Sequence, residues 1–90
     1  MFVLMAYDVH ADRVTKVLKV GRKYLNHVQN SFLEGELSPA QYEKLKHEIN
    51  STIDSEYDSV RFYLLRTTQY MTVEKLGVPS RPGAIEDFFL

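Results

Sequence analysis

Asp8 is the residue with the most chemistry to offer. It follows Met1-Phe2-Val3-Leu4-Met5-Ala6-Tyr7, a run without a charged side chain. A carboxylate at that point reads in two ways. As a turn residue it caps local backbone donors. As a metal ligand it supplies hard oxygen donors, but one carboxylate does not hold magnesium tightly. Two Asp8 side chains brought together across a dimer axis could share one ion. Without a cation the pair would repel and one member would take up a proton. Magnesium removes that conflict and bridges to phosphate oxygens. The same side chain is therefore the candidate catalytic and metal-binding residue.

A second pattern is cationic. Arg13, Lys16, Lys19, Arg22 and Lys23 recur at helical spacing, with Asp12 as the only acid among them. Such a stripe is either a solvated helix face or a track for phosphates. His10 lies two residues from Asp8 and reads more readily as a turn residue than as a ligand. Tyr7, Tyr63 and Tyr70 read as core or interface aromatics, and Asn30 and Ser31 as polar positions within a strand, either satisfying backbone groups or sitting beside the site. No nucleophile motif, phosphate-binding glycine loop, zinc spacing or aromatic-basic RNA-recognition signature is present. The absence of cysteine excludes a disulfide framework and a thiol nucleophile.

The elements that must position these residues follow from hydrophobic periodicity. Phe2 to Tyr7 is apolar at every position, the pattern of a strand covered on both faces. The domain's own helices can cover one face, and a second subunit is the simplest cover for the other. Val14, Val17, Leu18, Gly21 and Leu25 make a buried stripe, predicting a helix over 12–25 with its cationic side outward. Gly21 within the stripe permits close helix–sheet approach. Val28 to Leu37 reads as one long, bulged strand, with Gly35 at a bulge or close contact. Ser38-Pro39-Ala40-Gln41 announces a second helix through a capping box, with Leu37 and Tyr42 as its staple. Its inner face is Tyr42, Leu45, Ile49 and Ile53. Asp54 to Asp58 reads as an acidic turn. Ser59 to Leu65 and Tyr70 to Leu76 read as the last two strands, and Gly77, Pro79, Pro82 and Gly83 as a linker.

The 90 residues make one small domain with a modest core of its own, which favours burial against a second copy. The net charge of −1 hides an asymmetry: residues 11–30 are basic and residues 31–58 acidic. No apolar run approaches the roughly 18 residues of a membrane helix. The apolar start lacks the basic flank and cleavage site of a signal peptide, so a cytoplasmic protein without membrane attachment is expected. The element order approximates β-α-β-β-α-β, an α/β (α+β) ferredoxin-like two-layer sandwich with an antiparallel sheet and two helices on one face. The expected division is a ferredoxin-like domain over 1–77 and a linker with a tail over 78–90. That tail carries Ile85, Phe88, Phe89 and Leu90, too apolar to remain in water and read as a partner-docking segment.

Tyr7-Asp8-Val9, Arg13 and Lys16 opening a basic helix, Val28 through Leu37, and Asp58-Ser59-Val60-Arg61-Phe62-Tyr63 together resemble the CRISPR-associated Cas-two family over residues 1 to about 77. The resemblance implies a homodimer whose sheets pack face to face. It also implies a role in spacer acquisition, as the dimer bridging two dimers of the Cas-one integrase on a foreign DNA duplex. For some members it implies magnesium-dependent endonuclease activity on RNA or DNA. It assigns metal binding to Asp8 and places Tyr7, Arg13, Ser31 and Arg61 near the site or the nucleic acid. Where the family usually has valine then phenylalanine after the serine, this chain has Phe32 then Leu33. Three functions are thus open: a structural adaptor that needs the basic helix and the tail, a hydrolase that needs Asp8, and a small-molecule-sensing ferredoxin-like domain indifferent to nucleic acid.

Overall fold

The computed structural model describes residues 1–29, 31–66 and 71–79. The elements run β1 (Phe2–Asp8), α1 (Ala11–Gly21), β2 (Asn26–Gln29), β3 (Phe32–Glu36), α2 (Pro39–Thr52), β4 (Ser59–Leu65) and β5 (Met71–Gly77). All strands join one sheet in the order β2-β3-β1-β4-β5, and every neighbouring pair is antiparallel. This is the ferredoxin-like order with β5 added beside β4. No helix among the described residues is long and apolar enough to cross a membrane.

The central position of β1 explains its unbroken apolar run. Val3, Met5 and Tyr7 face the helices and are buried with Leu33, Val60, Phe62 and Leu64 in one core. Side chains alternate along a strand, so Phe2, Leu4, Ala6 and Asp8 share the opposite face. Register adds Phe32, Arg61, Tyr63 and Val73 to that face. There Phe2, Leu4 and Ala6 are half-buried, while Arg61 and Tyr63 are buried.

α2 begins as its sequence dictates. The Ser38 hydroxyl accepts from the Gln41 amide (3.2 Å) and the Gln41 side chain accepts from the Ser38 amide (2.8 Å). Tyr42, Leu45, Ile49 and Ile53 are all buried. Gly21 is the close contact expected of it: a Cβ there would lie 3.0 Å from Leu33 Cδ1. Gly35 is likewise a contact, 3.3 Å from Leu25 Cδ2 by the same measure.

Two expectations are corrected, and the acidic turn proves to carry a buried side chain. The stretch expected as a single strand is two, β2 and β3, joined around Ser31, whose φ of 69° turns the chain back. Two-residue hairpin connections favour positive φ because it matches strand twist. The Tyr7 amide donates to the Ser31 carbonyl (3.1 Å), tying the turn to β1. The first helix ends at Gly21, not Leu25. Beyond it Lys23 and Tyr24 donate to carbonyls three residues back, which tightens the chain out of the α-helix. Leu25 nevertheless stays in the core. The acidic turn is not wholly a surface feature, because Asp58 is completely buried. The expected strand from Tyr70 to Leu76 is β5, from Met71 to Gly77. Tyr70 and the tail residues Ile85, Phe88, Phe89 and Leu90 lie outside the described residues.

Candidate functional site at the end of the first strand

Asp8 is exposed at the carboxyl end of β1, in register with Ser59 of β4. It projects from the face that the helices leave uncovered. Arg61 stands opposite Ala6 on that face, which makes it the diagonal neighbour of Asp8. Tyr7 points the other way, into the core, where burial pushes its phenol up from the ordinary tyrosine range. Ser31 approaches from β3's side through its carbonyl, so Asp8, Ser31 and Arg61 are brought to one end of the sheet.

The segment after Asp8 is held by contacts that sequence reasoning did not foresee. His10 caps α1, its Nδ1 accepting from the Asp12 amide at 3.2 Å, so the turn role applies. The His10 amide itself donates to Asp58 Oδ1 (3.0 Å). Asp58 also accepts from the Asp54 amide (2.8 Å) and from Arg13 Nε (2.5 Å) and Nη2 (2.9 Å). The guanidinium beside it, together with these two amides, holds the Asp58 carboxyl well below the usual aspartate range despite burial. The pair raises Arg13 reciprocally. The signal in the sequence was an aspartate directly preceding an apolar strand, but its partner lies 45 residues away.

The cationic stripe divides accordingly. Arg13 is occupied by Asp58. Lys23 reaches Glu48 of α2 at 3.0 Å, and Arg22 Nη2 lies 3.0 Å from His27 Nδ1. Lys16 and Lys19 are exposed, and neither has an ion pair among the described residues. With Val20, Lys23, Ser51 and Thr52 they line a groove of about 440 Å³. This groove belongs to the helical layer, on the other side of the sheet from the face that carries Asp8.

Among the described residues no group of three His, Cys, Asp or Glu side chains could hold an ion. The available donor at the strand end is a single hard oxygen ligand. It would fit magnesium as one of the one or two carboxylates that the ion takes beside its waters and phosphate oxygens.

Residues 1–73 match the family model for CRISPR associated protein Cas2. The chain belongs to the Cas2 family. It is 56% identical over 78 residues to a Thermotoga maritima protein named CRISPR-associated endoribonuclease Cas2, spanning 87% of this chain and 90% of that one. A Dictyoglomus turgidum protein of the same name is 51% identical with the same coverage. A crystal structure described as cas2 superposes with a TM-score of 0.72 at 36% identity, covering 93% of this chain and 91% of the other. The Cas2 of Streptococcus pyogenes gives 0.67 at 39% identity, over 72% and 86% of the two chains. The Cas2 assignment and the ferredoxin-like sandwich thus agree, and the family resemblance noted in the sequence is established.

Proposed function

We propose that this Cas2 family member works as a cytoplasmic homodimer in CRISPR spacer acquisition, bridging Cas-one integrase dimers on a DNA duplex, and that paired Asp8 side chains give it magnesium-dependent phosphodiesterase activity. The relatives' name, endoribonuclease, supports RNA as the substrate. The observation that carries the hydrolase reading is the exposed Asp8 on the same face as Phe2, Leu4 and Ala6. Face-to-face stacking of two sheets would bury those apolar side chains and bring the two carboxylates toward one axis. Magnesium bound there would polarise the phosphodiester and lower the pKa of an attacking water. Arg61, on the same face, is placed to meet a phosphate. The adaptor reading draws on the other layer, where Lys16 and Lys19 present unpaired ammonium groups to a duplex and the tail over 84–90 supplies the docking segment.

The test uses Asp8→Asn, which keeps shape and removes charge. Metal-dependent RNA cleavage should be abolished, while sedimentation reports a dimer for both proteins. Cleavage surviving in a clean preparation would refute the metal role. A monomer at micromolar concentration would remove the shared site. Integration assays with the integrase, with and without residues 84–90, separate the adaptor reading: unchanged integrase affinity without the tail would exclude docking through it.

A further inference from the structure

Asp58 is the most completely engaged side chain in the described structure, yet the proposed chemistry does not use it. Its two oxygens accept four hydrogen bonds, two each: Oδ1 from the His10 amide and Arg13 Nη2, Oδ2 from the Asp54 amide and Arg13 Nε. Its carbonyl accepts a fifth, from the Val78 amide at 2.9 Å. With no exposed surface and every lone pair occupied, this carboxylate has no capacity left to bind a metal or move a proton. What it can do is hold main chain.

The chain it holds is the one that carries Asp8. Ser59, the next residue, is the register partner of Asp8. His10, whose amide Asp58 captures, is separated from Asp8 by Val9 alone. The Tyr7 amide is fixed on the other side by the Ser31 carbonyl. Asp8 is thereby pinned immediately before, beside and two residues after its own position. Resting on the reading of Asp8 given above, we infer that Asp58 is a positioning residue for the Asp8 metal site, acting through Arg13 and the His10 amide. A ligand constellation must be held within about 0.5 Å of its productive geometry, and the Asp58 clamp is the tertiary contact that does so at the exit of β1.

Asp58→Asn is the informative variant, because asparagine offers one oxygen where two are needed. In either flip its NH₂ group faces two N–H donors, so half of the clamp is lost at constant volume. The experiment uses the full chain and magnesium chloride as the probe, following the amide signals of Asp8, Val9 and His10 by NMR. Wild type should respond to magnesium and Asp8→Asn should not. In Asp58→Asn the His10 or the Asp54 amide, whichever the NH₂ group faces, should exchange faster with solvent, and the half-saturating magnesium concentration should rise about tenfold, as for other residues that orient a ligand. Sedimentation should show the dimer retained. A fast-exchanging amide at either position with an unchanged magnesium midpoint would overturn the inference, as would both amides still protected. If wild type and Asp8→Asn respond alike, the ligand reading of Asp8 fails and takes the inference with it, and that result appears before Asp58 is touched. Should Asp58→Asn not fold, Arg13→Ala removes two donors and leaves both amides in place. It should raise the midpoint by about threefold, and an unaltered midpoint refutes the positioning role.

Discussion

Gly77 offers a prediction whose size can be worked from the geometry. It ends β5 with φ at 82°, in the left-handed region, and a Cβ built there would lie 1.8 Å from the Asp58 carbonyl oxygen and 2.8 Å from its carbon. Two costs follow for Gly77→Ala. The backbone conformation alone costs an L-residue about 1 kcal/mol. The collision is with main chain and has no rotamer to relieve it, so the end of β5 must withdraw from Asp58. Withdrawal breaks the Val78–Asp58 hydrogen bond, a further loss of about 1 kcal/mol, and disturbs the Ser59–Gly77 pairing. The expected destabilisation is about 2–4 kcal/mol, read as a fall in the urea midpoint at fixed protein concentration, since dimerisation would make stability concentration-dependent. Gly21→Ala is the matched control. Its Cβ meets only the flexible end of Leu33, at 3.0 Å, and helix propensity returns about 1 kcal/mol, so it should change stability by about 1 kcal/mol or less. A Gly77→Ala loss under about 1 kcal/mol would refute the reasoning, for it would mean that β5 does not press on Asp58.

Other outcomes follow from the same contacts. Replacing Lys16 and Lys19 with alanine should flatten the salt dependence of duplex binding by up to about 0.9 per lost phosphate contact on log–log axes; an unaltered slope would move the duplex to another surface. Asp58 is held ionised below the ordinary aspartate range, so its contribution to stability is complete above about pH 4 and is lost as pH falls toward the folded value. Urea midpoints should therefore decline on acidification below that point, and less steeply in Asp58→Asn; parallel declines would dissociate the acid response from Asp58. Tyr42→Phe keeps the edge-to-face contact with Phe62 (5.3 Å between centroids) but removes the 2.5 Å hydroxyl bond to Glu74. It should cost about 1.5 kcal/mol in chemical denaturation, and a neutral result would show the α2–β5 bond to be replaceable by water.

Local signals carried much of this fold. The unbroken apolar run of β1 announced its central place. The Ser38–Gln41 capping box was legible because both partners lie within one turn. Failures came where a long-range contact decided the local form. The hairpin at Ser31 depends on its hold on Tyr7, and a serine in a polar-apolar stretch gives no hint of positive φ. Arg13 looks like the lysines beside it, since charge sign and helical spacing are shared. Only the position of Asp58 in the folded chain distinguishes an internal guanidinium from a solvated one.

That distinction changes how the two functional readings weigh against each other. The sequence offered five cations per subunit to a phosphate backbone. In the fold Arg13 is spent internally, and Arg22 and Lys23 sit in surface contacts that a phosphate could displace, because exposed pairs contribute little. Lys16 and Lys19 are the members with neither an ion pair nor a side-chain hydrogen bond among the described residues. Binding by so few contacts is weak and only shallowly salt-dependent, so the proposed duplex-holding role at physiological salt needs cations beyond these two. Asp8 lies on the opposite side of the sheet from those lysines, and Arg61 and its register partner Lys75 share its face. A nucleic acid lying on the helices would not reach Asp8. The proposed cleavage and the proposed duplex bridging would therefore use two separate surfaces, and variants at Asp8 and at Lys16 and Lys19 should each impair one and spare the other.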